Sequence, residues 1–117
     1  MITIFPIRKE WDFHQAVKAL GAPADGVLEA KDGEELLGMI GFTLNACVLH
    51  ITALREITPF IVDGLIKSAL SYAGQRGIPL VTVAAGRYED CFLSVGFEKK
   101  DTLLTLSLDT FTHKCNF

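Results

Sequence analysis

The sequence predicts an α/β domain whose mixed sheet starts as an antiparallel meander, continues through a parallel β-α-β crossover and carries helices on both faces. Three observations predict it. Two β-patterned stretches flank Asp32-Gly33, a strong two-residue hairpin signal. The segment Val48 to Gly77 reads as a strand, a short turn and an amphipathic helix. A short, largely apolar stretch, Leu80 to Ala84, follows that helix, so the strands on either side of it run parallel with a right-handed connection.

The elements follow in order. Met1 to Ile7 alternates Ile2, Ile4 and Ile7 around Thr3, and Pro6 limits its ladder bonding, which marks a short edge strand. Trp11 to Leu20 is a helix with Phe13, Val17 and Leu20 as its buried stripe; Trp11 and Phe13 are expected to cover the sheet. Gly21 to Gly26, with Pro23, ends it in a loop. Val27 to Lys31 and Leu36 to Leu44 form the hairpin, and Gly38 and Gly41 point to a bulge or a close backbone approach. Asn45-Ala46 turns the chain into Cys47 to Leu54, a near-continuous apolar strand covered on both faces. Ile61 to Gly77 is the clearest helix: Val62, Leu65, Ile66, Ala69, Leu70 and Ala73 share one face. Asp63 is its expected N-cap, with Gly77 and Pro79 at its end. Tyr88 to Val95 is a second short helix, and Thr102 to Leu108 closes the sheet.

The 117 residues make one domain, 1–117, large enough for a single core. Half are hydrophobic and 21% charged, an ordinary globular balance on the apolar side. No apolar run approaches the roughly 18 residues that span a bilayer. The net charge of −3, with Lys and Arg scattered, argues against a nucleic-acid partner. Met1 to Lys9 lacks a positive lead-in before its apolar stretch, so no signal peptide is read and a cytoplasmic protein is expected. Three cysteines without C-x-x-C spacing are expected to be reduced, Cys47 and Cys91 as core residues. The tail Phe111-Thr-His-Lys-Cys115 sets His113 near Cys115, but a metal site needs further ligands that nothing nearby offers. Cys115 reads as a somewhat reactive thiol or a frayed terminus.

Three stretches, in this order, resemble the GNAT acetyltransferase superfamily: Asp32-Gly-Glu-Glu-Leu-Leu-Gly-Met-Ile-Gly-Phe42, Leu65-Ile-Lys-Ser-Ala-Leu-Ser-Tyr-Ala-Gly-Gln-Arg-Gly-Ile78 and Phe92-Leu-Ser-Val-Gly-Phe-Glu-Lys99. The resemblance covers about residues 26–108. It implies acetyl-CoA as cosubstrate beside the central strand and direct transfer of the acetyl group to an amine. The family's Arg/Gln-x-x-Gly-x-Gly/Ala pyrophosphate turn falls on Ile57-Thr-Pro-Phe-Ile-Val62. Phe60 and Val62 stand at the glycine positions, and Pro59 has no N–H to donate. The family's proton-donating Tyr falls on Phe92, leaving Tyr88, one helical turn earlier, as the candidate acid.

The candidate site follows from these readings. His50 and Glu56 are candidate bases for the amine proton; His50 reads otherwise as a half-buried structural histidine and Glu56 as a solvated carboxylate. Backbone contacts along Thr52, Ala53, Leu54 and Arg55 would hold the acyl-CoA, with Arg55 able to meet a phosphate. The amides of Gly64, Leu65 and Ile66 at the helix start would face the same ligand. Two functions are expected from this pattern, a GNAT-like N-acyltransferase and a non-catalytic GNAT-like module binding a small ligand or a protein in the same cleft. A positive mean hydropathy is also compatible with a homodimer.

Overall fold

A computed structural model of the protein describes residues 1–108. His113 and Cys115 lie outside the described residues. The chain runs β1 (Ile2–Pro6), α1 (Glu10–Leu20), β2 (Gly26–Asp32), β3 (Glu35–Leu44), β4 (Val48–Glu56), α2 (Ile61–Gln75), β5 (Leu80–Ala84), α3 (Glu89–Val95), β6 (Glu98–Lys100) and β7 (Leu103–Ser107). Its strands form a seven-stranded sheet in the order β1-β2-β3-β4-β5-β7-β6. Only β4 and β5 pair in parallel. The meander, the parallel crossover and the helices on both faces all match the expected fold class. No helix among the described residues is long and apolar enough to cross a membrane.

Local signals explain most boundaries. The hairpin loop is Gly33-Glu34, one residue later than the Asp-Gly signal placed it, with Gly33 at φ 64°. At the next turn Asn45 Oδ1 accepts from the backbone N–H groups of Cys47 and Val48, at 3.0 and 2.9 Å. This is the side-chain mimicry that makes Asn a turn residue. Helix α2 stops in a Schellman motif: Ile78 N–H donates to the Ala73 carbonyl and Gly77 N–H to that of Gly74. Gly77 supplies the left-handed residue, at φ 69°. The strand β6 has no apolar alternation and was not expected; Asp101 at φ 56° turns Glu98–Lys100 back along β7.

The core lies mainly between the sheet and α2. Leu65, Ile66, Ala69 and Ala73 pack there on Ile40, Phe42, Leu49 and Val81, and α3 adds Phe92. The opposite face holds a smaller cluster, where α1 covers Val27 and Met39 with Phe13, Ala16, Val17 and Leu20. Trp11 corrects the expectation that it covers the sheet: it is 73% exposed. Two residues before Phe13, it projects well off the 13-16-17-20 stripe. Cys91 is a free thiol on α3, whereas Cys47 is not free, which corrects the expectation of three reduced thiols.

Candidate functional site

The site arises from a defect in strand pairing. The parallel register of β4 and β5 runs Val48↔Leu80 to Ile51↔Val83 and stops there. Beyond that point β4 continues to Glu56 while β5 ends at Ala84. On its other side, β4 pairs Ile51 with Phe42 and Ala53 with Gly41, so Thr52 is the extra residue of a β-bulge. A bulge bends its strand and raises its twist. The two strands therefore diverge just past Ile51, and the β5-facing edge of β4 is left without a strand partner.

The bulge also flips the side-chain phase. Leu49 and Ile51 pack into the α2 core, and so does Leu54. Simple alternation along β4 would put His50, Thr52 and Leu54 on one face. The inserted residue instead puts Leu54 on the opposite face from His50.

The divergence opens a cleft of about 480 Å³. One wall is β4 from His50 to Leu54; the other is Val83, Ala84, Arg87, Tyr88 and Phe92. Ala22 and Pro23, in the loop after α1, close one rim. Of the residues predicted from sequence, His50, Thr52, Ala53, Leu54 and Tyr88 come together here. Arg55 and Glu56 do not line the cleft and are exposed at the end of β4. Leu65 is fully buried in the core, and the Cα of Gly64 faces Ile4 of β1.

The cleft has an unusual polar lining. His50 Nδ1 lies 2.7 Å from Thr82 Oγ1, across the parallel pair. When Thr82 accepts from Nδ1–H, the lone pair of Nε2 is free to take a proton. Thr52 Oγ1 and Tyr88 Oη are buried and have no hydrogen-bond partner among the described residues. An unmet buried hydroxyl costs about 1–3 kcal/mol, so native proteins keep few of them. Here two stand on facing walls of one cavity. Among the described residues, no cluster of His, Cys, Asp or Glu could hold a metal ion. Sequence reading missed Thr82 and Arg87; the first was masked by an apolar strand context, and the second carried no motif.

No family model and no curated protein matches the sequence. Solved structures do match the fold. The ribosomal-protein-S18-alanine N-acetyltransferase of Escherichia coli superposes with a TM-score of 0.74 over 100% of both chains, at 11% identity. A GNAT family acetyltransferase from Elizabethkingia anophelis, with acetyl-CoA bound, gives 0.68 over 92% of this chain and 98% of its own, at 14% identity. A third, from Brucella melitensis in complex with acetyl-CoA, gives 0.67 over 93% and 89%, at 15% identity. This chain has the GNAT fold.

On a GNAT fold the turn between β4 and α2 is where a diphosphate cradle is expected, and its residues here do not form one. Ile57 and Thr58 both spend their N–H groups on the Leu37 carbonyl, at 3.0 and 2.9 Å. Pro59 has none to offer. Phe60 holds the left-handed conformation, φ 72°, natural to glycine, but its ring is 95% exposed over the helix start. With α2 beginning at Ile61, the amides of Gly64 and Leu65 lie within the helical ladder, and the amides free of it belong to residues 60–63. Asp63 is not the N-cap. It sits in the first turn, paired with Lys67 at 3.0 Å, and sets a carboxylate where a phosphate would lie. The turn between β4 and α2 therefore offers no free backbone cradle for a diphosphate.

Proposed function

We infer that this protein is an N-acyltransferase that moves an acyl group from a thioester, such as acetyl-CoA gripped by its pantetheine arm, to an amine. The observation that carries this reading is the pair of unpartnered buried hydroxyls, Thr52 and Tyr88, on residues that line the two walls of one cleft with His50. Those three groups match the needs of direct transfer. The amine nitrogen attacks the thioester carbonyl; a C–N bond forms and the C–S bond breaks. His50 accepts the ammonium proton, and the Tyr88 hydroxyl gives its proton to the departing thiolate. Thr52 O–H and the unpaired edge of β4 donate to the carbonyl oxygen as negative charge develops on it.

The test combines ligand stabilisation with thiol release. Acetyl-CoA is expected to raise the melting temperature saturably and to release free thiol when a panel of amines is present. Tyr88→Phe should lower kcat by about 100-fold with little change in KM, the signature of a lost proton donor. Absence of both stabilisation and thiol release at millimolar acetyl-CoA would overturn the reading. The turn at Ile57–Phe60 favours a second reading, a non-catalytic GNAT-like module; its signature is stabilisation without thiol release for any amine.

A further inference from the structure

A second hollow, of about 330 Å³, lies on the α2 face of the sheet, against β1 and away from the cleft. Ser68, Ser71, Tyr72 and Gln75 line it at i, i+3, i+4 and i+7, so one whole face of α2 is polar where it meets β1. Ile4 and Leu28 belong to the apolar side of the same hollow. Two guanidinium groups flank it. Arg8 comes from the segment joining β1 to α1, and Arg76 from the end of α2.

Neither arginine has an ion-pair partner among the described residues. No carboxylate lines the hollow. Glu29, next to Leu28, faces the α1 side and pairs with Lys31; Asp63 pairs with Lys67, and Glu10 lies 3.6 Å from His14. Arg76 is also held in place. Its guanidinium lies 3.5 Å from the centroid of the Tyr72 ring, and that ring packs on buried Phe42 at 4.9 Å. A guanidinium stacked on an aromatic face keeps its N–H edge free for a planar or tetrahedral oxyanion. Both arginines are exposed, and with no carboxylate beside them they give this hydroxyl-lined hollow a positive charge in a protein of net charge −3.

We propose that this groove binds a small organic oxyanion, a phosphate monoester or a carboxylate, clamped by Arg8 and Arg76 with its body over Ile4 and Leu28. The hydroxyls of Ser68 and Ser71 and the amide of Gln75 supply the neutral donors such a ligand uses beside a guanidinium. The site is independent of the acyl-transfer cleft, since the two share no lining residue.

Calorimetric titration of the whole protein with phenyl phosphate, benzoate and inorganic phosphate, at constant ionic strength in chloride, tests this. Saturable binding of phenyl phosphate or of benzoate is expected, and whichever binds tighter identifies the headgroup. Arg76→Ala and Arg8→Ala should each weaken it by about tenfold or more, the scale of one charged hydrogen bond. Arg76→Lys, which keeps the charge and loses the fork, should weaken it as well. Ser71→Glu puts a carboxylate in the groove at an exposed helical position and should abolish binding at an unchanged melting temperature. His50→Gln, in the cleft, should leave the titration unaltered. No saturation at millimolar ligand, or titrations indifferent to Arg8→Ala, Arg76→Ala and Ser71→Glu, would overturn the proposal.

Discussion

Thr52 and Tyr88 carry opposite consequences for stability and for activity. Each hydroxyl is buried without a partner. Removing it while keeping the shape should therefore relieve a desolvation cost and leave no cavity. Thr52→Val and Tyr88→Phe are each expected to raise unfolding free energy by about 1 kcal/mol, seen as a rise of several degrees in melting temperature. A site retained for function at the expense of stability behaves this way; a fall in melting temperature for both would show that the hydroxyls are satisfied. His50 and Thr82 behave in the opposite sense. His50→Ala strands the buried Thr82 hydroxyl and should cost about 1–3 kcal/mol, and adding Thr82→Val should recover much of it, because losing both partners is nearly neutral. A double-mutant cycle by urea denaturation measures that coupling. The sequence already made His50, Thr52 and Tyr88 candidates, through strand position and the helical turn between Tyr88 and Phe92. It could not show which hydroxyls lack partners, because a hydrogen bond such as His50 to Thr82 joins residues 32 positions apart.

At the scale of elements, α2 and its entry turn show what was legible and what was not. The helix could be read from its three- and four-residue spacing, and Gly77 with Pro79 gave its end. Its start could not be read. Asp63 had the composition of an N-cap, but the residue that makes the turn is Phe60, in a conformation its side chain disfavours. The bulge was signalled by Gly41, where the register shifts, but its extra residue, Thr52, was hidden, because it is defined by the pairing of Ala53 with Gly41 and Ile51 with Phe42. Gly38 and Gly41 did announce trouble in β3, and the structure gives the reason at Gly38: an added Cβ would lie 2.8 Å from the Arg55 carbonyl and 3.0 Å from Ile61 Cγ2. There β3, β4 and α2 converge. Gly38→Ala should thus cost about 1–3 kcal/mol by overpacking, measured as a lower urea midpoint; an unchanged midpoint would mean that the three elements can move apart. Phe60→Gly should do the reverse. It removes a left-handed strain of about 1–2 kcal/mol, partly offset by the extra freedom of glycine in the unfolded chain, for a net gain of up to about 1 kcal/mol. Phe60→Ala keeps the strain and should gain nothing, so equal midpoints for the two variants would contradict the argument.

Across the whole molecule the two faces of the sheet are unequally secured. Helix α2 buries six residues and joins the main core, whereas α1 buries only Ala16 and otherwise offers partly exposed side chains. Local opening follows buried apolar contact, so α1 should detach at a free energy well below that of global unfolding. The consequence reaches the cleft, because Ala22 and Pro23, directly after α1, form part of its lining. A frayed α1 would widen the cleft on that side while β4, β5 and α3 stay in place. Native-state hydrogen exchange should therefore find the amides of α1 exchanging by sub-global opening, while those of α2 and the paired stretch of β4 and β5 exchange only on global unfolding. A thioester filling the cleft should raise protection in α1 and at Ala22 selectively. Equal protection of both helices in the free protein would show instead that α1 is bound as tightly as α2, and that the cleft has a fixed width on both sides.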